Sequence, residues 1–409
     1  MNPSLFHLFI TWFLLGLSLL AFLLSTILLI EIVAALRPRR SFKNDPHVSI
    51  RTAILIPAHN EASQIEATVL ALTTELGPGD RLIVIADNCQ DETAQRARSA
   101  GASVIERQDS QHRGKGFAIS FGVAYLQADP PDVVILVDAD CQVAEGRLNQ
   151  LAKRAWETGR PVQADYLLTS PDSANRLSAI NAFAVLVRNR VRPQGLQSLA
   201  NVCQLTGSGM AFPWSVLCDA PPMQGNLVED LALGLELCLT NHPPLLLPEV
   251  RISSTLPTSS KAGIGQRRRW EHGQMHTMRR YLPRLLRAFL TSPRKPLLGL
   301  ALDLMVPPLT FLVMIHLAIL VLTAAGLIGG MATVLPLFIV ALSSAFLCLA
   351  ILLAWIRFGR QTLPLGTAIR IPFYILWKVG LYASLLIKGK QKSWERTERL
   401  SPPKEIPKP

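Results

Sequence analysis

Little in this sequence supports a disulfide-framed or zinc-bound domain. The six cysteines, Cys89, Cys141, Cys203, Cys218, Cys238 and Cys348, show no CxxC spacing and no framework of the secreted type. Reduced thiols, without disulfides or zinc, are therefore expected. His272 and His276 lie four apart but are not accompanied by HExxH, so they read as rim or surface histidines. Arg113-Gly114-Lys115-Gly116 lacks the glycine spacing and the Lys-Ser/Thr pair of a P-loop. It does open a predicted helix, where backbone donors and Lys115 can face phosphate. No internal repeat is visible. Acidic residues are in short supply, with 29 Asp+Glu against 41 Lys+Arg and a net charge of +12. That excess collects beside apolar segments, at Arg37, Arg39 and Arg40, at Arg267 to Arg269, and from Lys388 to Arg399. The pattern points to a membrane surface and excludes nucleic acid as a partner.

What the chain does have is long apolar runs, and a positive mean hydropathy of +0.30. Leu5 to Leu36 is almost wholly apolar, enough for a tilted helix through the bilayer. No Lys or Arg precedes it and no small-residue cleavage site follows, so it reads as a retained span and not as a cleaved signal. The basic cluster from Arg37 places the next domain in the cytoplasm. Two further spans are expected from about Leu297 to Leu327 and from Val334 to Ile356, separated by Gly329-Gly330. A third stretch, Ile371 to Ile387, contains Lys378 and has basic flanks on both sides. It reads as a re-entrant or interfacial helix in preference to a fourth span. The 409 residues thus divide into a membrane helix with its basic flank (1–40), a cytoplasmic domain (41–285), C-terminal membrane segments (286–390) and a basic, Pro-rich tail (391–409), disordered at its end. An integral protein of a bacterial inner or plasma membrane is the expectation.

Between about Ile50 and Leu285, short β-branched runs alternate with polar amphipathic stretches, the rhythm of an α/β domain. Strands are predicted at 53–57, 81–86, 103–106 and 132–137, with helices near 61–76, 92–100 and 116–127. The apolar runs are continuous and not alternating, which implies strands covered on both faces and a mostly parallel sheet.

Three of these strands end in acids. The run Val133 to Val137 stops at Asp138-Ala139-Asp140, and ligands gather at the carboxyl ends of strands in open α/β sheets. Two carboxylates one residue apart repel unless a cation is near, which suits Mg2+ or Mn2+ bridging to a diphosphate; taken alone, the same residues also suit a turn or a helix cap. The strand ending at Ala86 leads into Asp87-Asn88-Cys89-Gln90-Asp91, and the first strand into Pro57-Ala58-His59-Asn60-Glu61. Asp91, Asn60 and Glu61 also read as helix caps. Asp87 is placed to hydrogen-bond a base or ribose.

With Val228-Glu229-Asp230 and Gln266-Arg267-Arg268-Arg269-Trp270 following in order, the chain resembles the membrane-integrated family 2 glycosyltransferases of the cellulose, chitin and hyaluronan synthase type. It resembles them from about Ala53 to Trp270. Val228 departs from the family's Thr. The resemblance implies a glycosyltransferase A-type, Rossmann-like domain with transmembrane helices. It implies that Asp87, with the Pro57 to Glu61 turn, binds the uridine of a UDP-sugar, and that Asp138 and Asp140 hold diphosphate and metal, Asp140 the more direct ligand. Asp230 becomes the general base, Arg269 a pyrophosphate contact and Trp270 a neighbour of the acceptor. Asp230 has an alternative reading as the cap of a helix over 231–239, and the arginines as a membrane-surface patch. Thr206-Gly207-Ser208-Gly209 is similar to the family's small-residue turn near the acceptor, and also reads as a plain turn. The expected activity is inverting transfer of a hexosyl or N-acetylhexosaminyl group in exopolysaccharide-type synthesis. Its alternative is single addition to a membrane lipid, as by ceramide glucosyltransferases. The acceptor is accordingly a glycan or a lipid, and no export or accessory protein is identified.

Overall fold

A computed structural model describes residues 3–38, 49–143, 147–169, 176–221, 228–255, 260–368 and 371. The chain opens with α1 (Pro3–Ala35), then alternates through β1 (Thr52–Ala58), α2 (Ile65–Thr73), β2 (Arg81–Asp87), α3 (Thr93–Ser99), β3 (Ser103–Arg107), α4 (Lys115–Leu126) and β4 (Val133–Leu136). β5 (Cys141–Val143), α5 (Leu148–Thr158) and β6 (Val162–Thr169) follow. α6 (Arg176–Leu186) passes through a π-helical turn at Val187–Val191 into α7 (Arg192–Ala200). Then come β7 (Met210–Pro213), α8 (Trp214–Cys218), α9 (Glu229–Leu239), β8 (Leu245–Thr255) and the long α10 (Ser260–Thr291). The last elements are α11 (Lys295–Met305), α12 (Leu309–Ile328), α13 (Val334–Ala354) and α14 (Leu365–Ala368).

The elements form two compact units. One holds all eight strands with α2 to α5, α8, α9 and residues 260–281 of α10; the other holds α1, α6, α7, residues 282–291 of α10, and α11 to α14. In the first, the strands form a single sheet in the order β3-β2-β1-β4-β7-β6-β8-β5. Four of its seven pairings are parallel and three antiparallel. This is a mixed, mostly parallel sheet, Rossmann-like as the sequence predicts. The predicted strands β1 to β4 match within a residue or two; the apolar runs of β1, β2 and β4 are buried on both faces, while β3, at the sheet edge, is half-buried or exposed. Leu55, Ile83, Ile85, Val134 and Leu136 of the sheet share a core with Ala118, Ile119 and Leu126 of α4 and with Phe212, Leu233 and Leu237.

In the second unit, three helices are long and apolar enough to cross a membrane: Leu5–Ala35, Leu309–Ile328 and Val334–Gly359. The apolar run expected to span from Leu297 is in fact divided. α11 stops at Met305, Val306 is extended, and α12 starts only after Pro307-Pro308. A residue before proline is driven out of the helical region, and proline supplies no N–H to continue the ladder. Most of the stretch from Ile371 to Ile387, and the tail from Lys388, lie outside the described residues.

Two polar clusters join helices of this unit. Ser25 of α1, His316 of α12 and Ser343 of α13 bond mutually, with His316 Nε2 at 2.7 Å from Ser25 Oγ and 2.8 Å from Ser343 Oγ. His316 Nδ1 donates to the Leu312 carbonyl at 2.8 Å, so Nε2 is left to accept a hydroxyl proton, while Ser25 Oγ also donates to the Ala21 carbonyl at 3.0 Å. Arg192 of α7 joins Glu31 of α1 at 3.0 Å and Asp303 of α11 at 2.6 Å, all three side chains buried. Gly195, one turn further along α7, lets the two backbones meet: a Cβ there would stand 1.9 Å from the Glu31 carbonyl oxygen.

Candidate active site

β4 ends at Leu136, and Val137 N still donates to Leu55 O at 3.1 Å. Asp138-Ala139-Asp140 therefore emerges from the middle of the sheet, and each of its residues is tied down separately. Asp138 N donates to Ser208 Oγ at 3.0 Å, Thr68 Oγ1 donates to Ala139 O at 2.8 Å, and Ser254 Oγ donates to Asp140 Oδ2. Potential ligand atoms of Asp138, Asp140 and Cys141 lie within 4.8 Å of one another. Cys141 turns inward, buried, with Sγ 3.1 Å from Ser208 Oγ. Burial, and then the nearby Asp138 charge, push its thiol up to about 12. The outward donors are thus carboxylate oxygens, a set that fits hard Mg2+ or Mn2+ better than a thiophilic metal.

Lys115 opens α4, as its place in the sequence predicts. Its ammonium donates to Asp138 Oδ1 and, at 2.7 Å, to the Gly207 carbonyl. Burial pulls the Lys115 ammonium down, but the charges of Asp138, Glu229 and Asp230 outweigh it, and the group ends above its ordinary value.

Gly207 links this cation to the predicted base. It adopts a left-handed φ of 99°, and a Cβ there would stand 3.1 Å from Asp230 Oδ2. The turn Thr206-Gly207-Ser208-Gly209 is clamped from beneath by buried Gln163, which accepts from Thr206 N at 2.8 Å and donates to Ser208 O at 2.8 Å. Asp230 lies in the first turn of α9, where a helix favours negative charge. Asp138, Lys115, the Gly207 turn and Asp230 are thereby brought together from four separate parts of the sequence.

Asp87 closes β2 and faces Arg107, its register partner at the end of β3. Arg107 Nη1 donates to Asp87 Oδ1 at 2.7 Å, and Asn88 Nδ2 donates to the same oxygen at 3.0 Å. His59 Nδ1 donates to the Asp87 carbonyl at 2.7 Å, which draws the turn after β1 against the end of β2. Pro57 lies in β1, and Glu61 N donates to Thr93 Oγ1 at 2.8 Å. Asp91 accepts from Thr93 N at 3.1 Å at the start of α3. Trp270 is half-buried on α10; the backbone of Arg269 is part of the same helix, but its side chain lies outside the described residues.

Sequence reasoning missed Arg107, Gln163, Thr68 and Ser254. Arg107 stood one residue beyond the predicted strand, and pairing that strand with the end of β2 would have exposed it. The others are polar residues whose neighbours are remote in sequence, and no local signal marks them.

Residues 50–273 match the family described as "Glycosyltransferase like family 2". No curated protein matches the chain. Among solved structures, the chain is similar to the mannosyltransferase PcManGT from Pyrobaculum calidifontis in complex with GDP-Man and Mn2+. The identity is 15% and the TM-score 0.51, over 92% of this chain and 99% of that one. It also matches glucosyl-3-phosphoglycerate synthase from Mycobacterium tuberculosis in complex with Mn2+, uridine-diphosphate and phosphoglyceric acid, at 22% identity and a TM-score of 0.39, over 54% of this chain and 76% of that one. At 15% identity the first likeness is one of fold.

Proposed function

Since this chain belongs to the glycosyltransferase like family 2, we propose that it is an inverting transferase moving a sugar from a UDP-sugar to a glycan or lipid acceptor at a membrane. The convergence of Asp138, Lys115, the Gly207 turn and Asp230 supports this most directly. In the proposed reaction an acceptor hydroxyl lies over the Gly207 turn, where the missing side chain leaves room, and gives its proton to Asp230. The freed oxygen attacks the anomeric carbon on the face opposite the departing diphosphate, a general-base step worth about 10²–10⁴ in rate. Asp138 and Asp140 would hold Mg2+ or Mn2+, which when bound stabilises the negative charge of the departing diphosphate. Lys115 adds a fixed positive charge on the same side. Asp87 and the Pro57 to Glu61 turn hold the nucleoside, while Arg269 and Trp270 serve pyrophosphate and acceptor.

The basic cluster after α1 supports a cytoplasmic face for the sheet unit, in a bacterial inner or plasma membrane. Synthesis of an exopolysaccharide-type β-linked glycan is the first reading of the product. Among the described residues three helices are both long and apolar enough to span a membrane, a narrow set for conducting a polymer, which favours single addition to a membrane lipid as the second. A panel of UDP- and GDP-sugars supplied to membranes containing the full chain, with products sized by mass spectrometry, separates these readings. An oligomer ladder supports the first and a lipid bearing one sugar the second. No transfer from any donor defeats both.

A further inference from the structure

The side chains around Asp87 do more than fill space, and their hydrogen bonds can be counted atom by atom. Asp87 Oδ1 accepts two, from Arg107 and Asn88. Among the described residues Oδ2 accepts none. The neighbouring acceptors are all occupied: Asn88 Oδ1 takes Asp109 N at 2.8 Å, Asp109 Oδ1 takes Gln111 N and His112 N, each at 3.0 Å, and Asp109 Oδ2 takes Arg107 Nη2 at 2.9 Å and His112 Nδ1 at 3.0 Å. Arg107 is itself fixed, held between two carboxylates with its guanidinium 5.7 Å from the centre of the Phe117 ring. The carboxylate cannot turn without breaking both bonds at Oδ1. Asn88, at a left-handed φ of 53°, is secured through its own N–H to the Arg107 carbonyl at 2.8 Å.

We infer that Arg107 and Asn88 are positioning residues that make Asp87 a single-oxygen reader of the nucleoside base, selecting uracil over guanine. The inference rests on the reading of this site as one for a nucleotide sugar. Its chemistry is a matching of edges. Uracil offers one N–H, at N3, between two carbonyls, so one acceptor satisfies it. Guanine offers two adjacent donors, N1–H and the N2 amino group, which are matched by both oxygens of an open carboxylate. With Oδ1 filled, one of guanine's donors would be buried without a partner. Cytosine and adenine present a bare ring nitrogen at the same place, which a carboxylate oxygen repels.

The arrangement also predicts a switch. In Asp87→Asn, Arg107 and Asn88 both require an acceptor, so the amide oxygen must face them and the NH2 must point outward. The reading atom then becomes a donor and suits the bare N3 of cytosine. That outcome depends on Arg107 and Asn88 orienting the amide, and a merely structural role for them would not produce it.

The test is equilibrium binding of UDP, GDP and CDP, with Mn2+ present, to the full chain in detergent. The wild type should bind UDP about tenfold or more tightly than GDP, the cost of one unmatched donor. Arg107→Leu should lower the UDP-to-GDP ratio by about tenfold, because one of the two acceptor positions on Oδ1 is freed while Asn88 keeps the other. Asp87→Asn should raise the CDP-to-UDP ratio, and adding Arg107→Leu should shrink that rise, because Asn88 alone then orients the amide. If Arg107→Leu does not fold, Asp87→Asn alone decides. Equal wild-type affinity for UDP and GDP, or no move toward CDP in Asp87→Asn, overturns the inference while the nucleotide-sugar reading stands. Failure of the wild type to bind any of the three nucleotides defeats that reading and the inference with it.

Discussion

Gly207 sits where two functional groups need the same small volume. Its carbonyl takes the Lys115 ammonium, and its bare α-carbon faces the Asp230 carboxylate. A methyl group there meets a left-handed φ and an oxygen at 3.1 Å together. Gly207→Ala should therefore cost about 1–2 kcal/mol of stability and reduce kcat by more than it raises the donor KM, read from thermal melts and initial rates. Ser254 acts more narrowly. Its hydroxyl holds Asp140, so Ser254→Ala should raise the Mg2+ or Mn2+ concentration needed for half-maximal activity while saturating metal restores most of the rate. The acids themselves were legible, because a buried apolar run ending in Asp138-Ala139-Asp140 is visible in one dimension. Ser254 and Gln163 were not, since they meet the site only through the pairings of β8 with β5 and of β6 with β7.

Three helices, α1, α7 and α11, share one cation and two carboxylates through Arg192, Glu31 and Asp303. Removing only the cation, by Arg192→Met, leaves two buried carboxylates facing each other and should cost about 3–5 kcal/mol. Replacing all three, with Glu31→Gln and Asp303→Asn added, should recover much of that loss, because a buried ion pair is expensive to desolvate in the first place. Melting temperatures in detergent compare the two. Such a cluster does not show in sequence, where Glu31 is one acid in an apolar run and Arg192 one of several arginines. The same holds for strands. β1, β2 and β4 were readable from continuous apolar runs and β3 from its short β-branched pair, whereas β5 has three residues and β7 four, one of them Pro213, too short for any period to register. The division between α11 and α12 was missed because Pro307-Pro308 lies inside a run that composition alone joins together.

For the whole molecule, the apolar helices Leu5–Ala35, Leu309–Ile328 and Val334–Gly359 predict retention in the membrane pellet after an alkaline carbonate wash. The proposed orientation has a direct consequence at Cys218, which is exposed in the sheet unit. An impermeant maleimide should label it in inverted vesicles and leave it unlabelled in sealed right-side-out cells; the opposite result would reverse the topology. Fold class was legible at this scale because short apolar runs alternate with amphipathic stretches through the sheet unit. The identity of the acceptor was not, since it depends on the shape of a surface. The central claim is that Asp230 removes the acceptor proton beside a metal-holding pair. Initial rates of UDP release by the full chain with its working donor, with and without a chelator, compared between wild type and Asp230→Asn, test it most directly. The account predicts wild-type turnover that chelation abolishes and Mn2+ or Mg2+ restores, and a fall of about 10²–10⁴ in kcat for Asp230→Asn with donor KM little changed. Metal-dependent turnover at the wild-type rate by Asp230→Asn would contradict it.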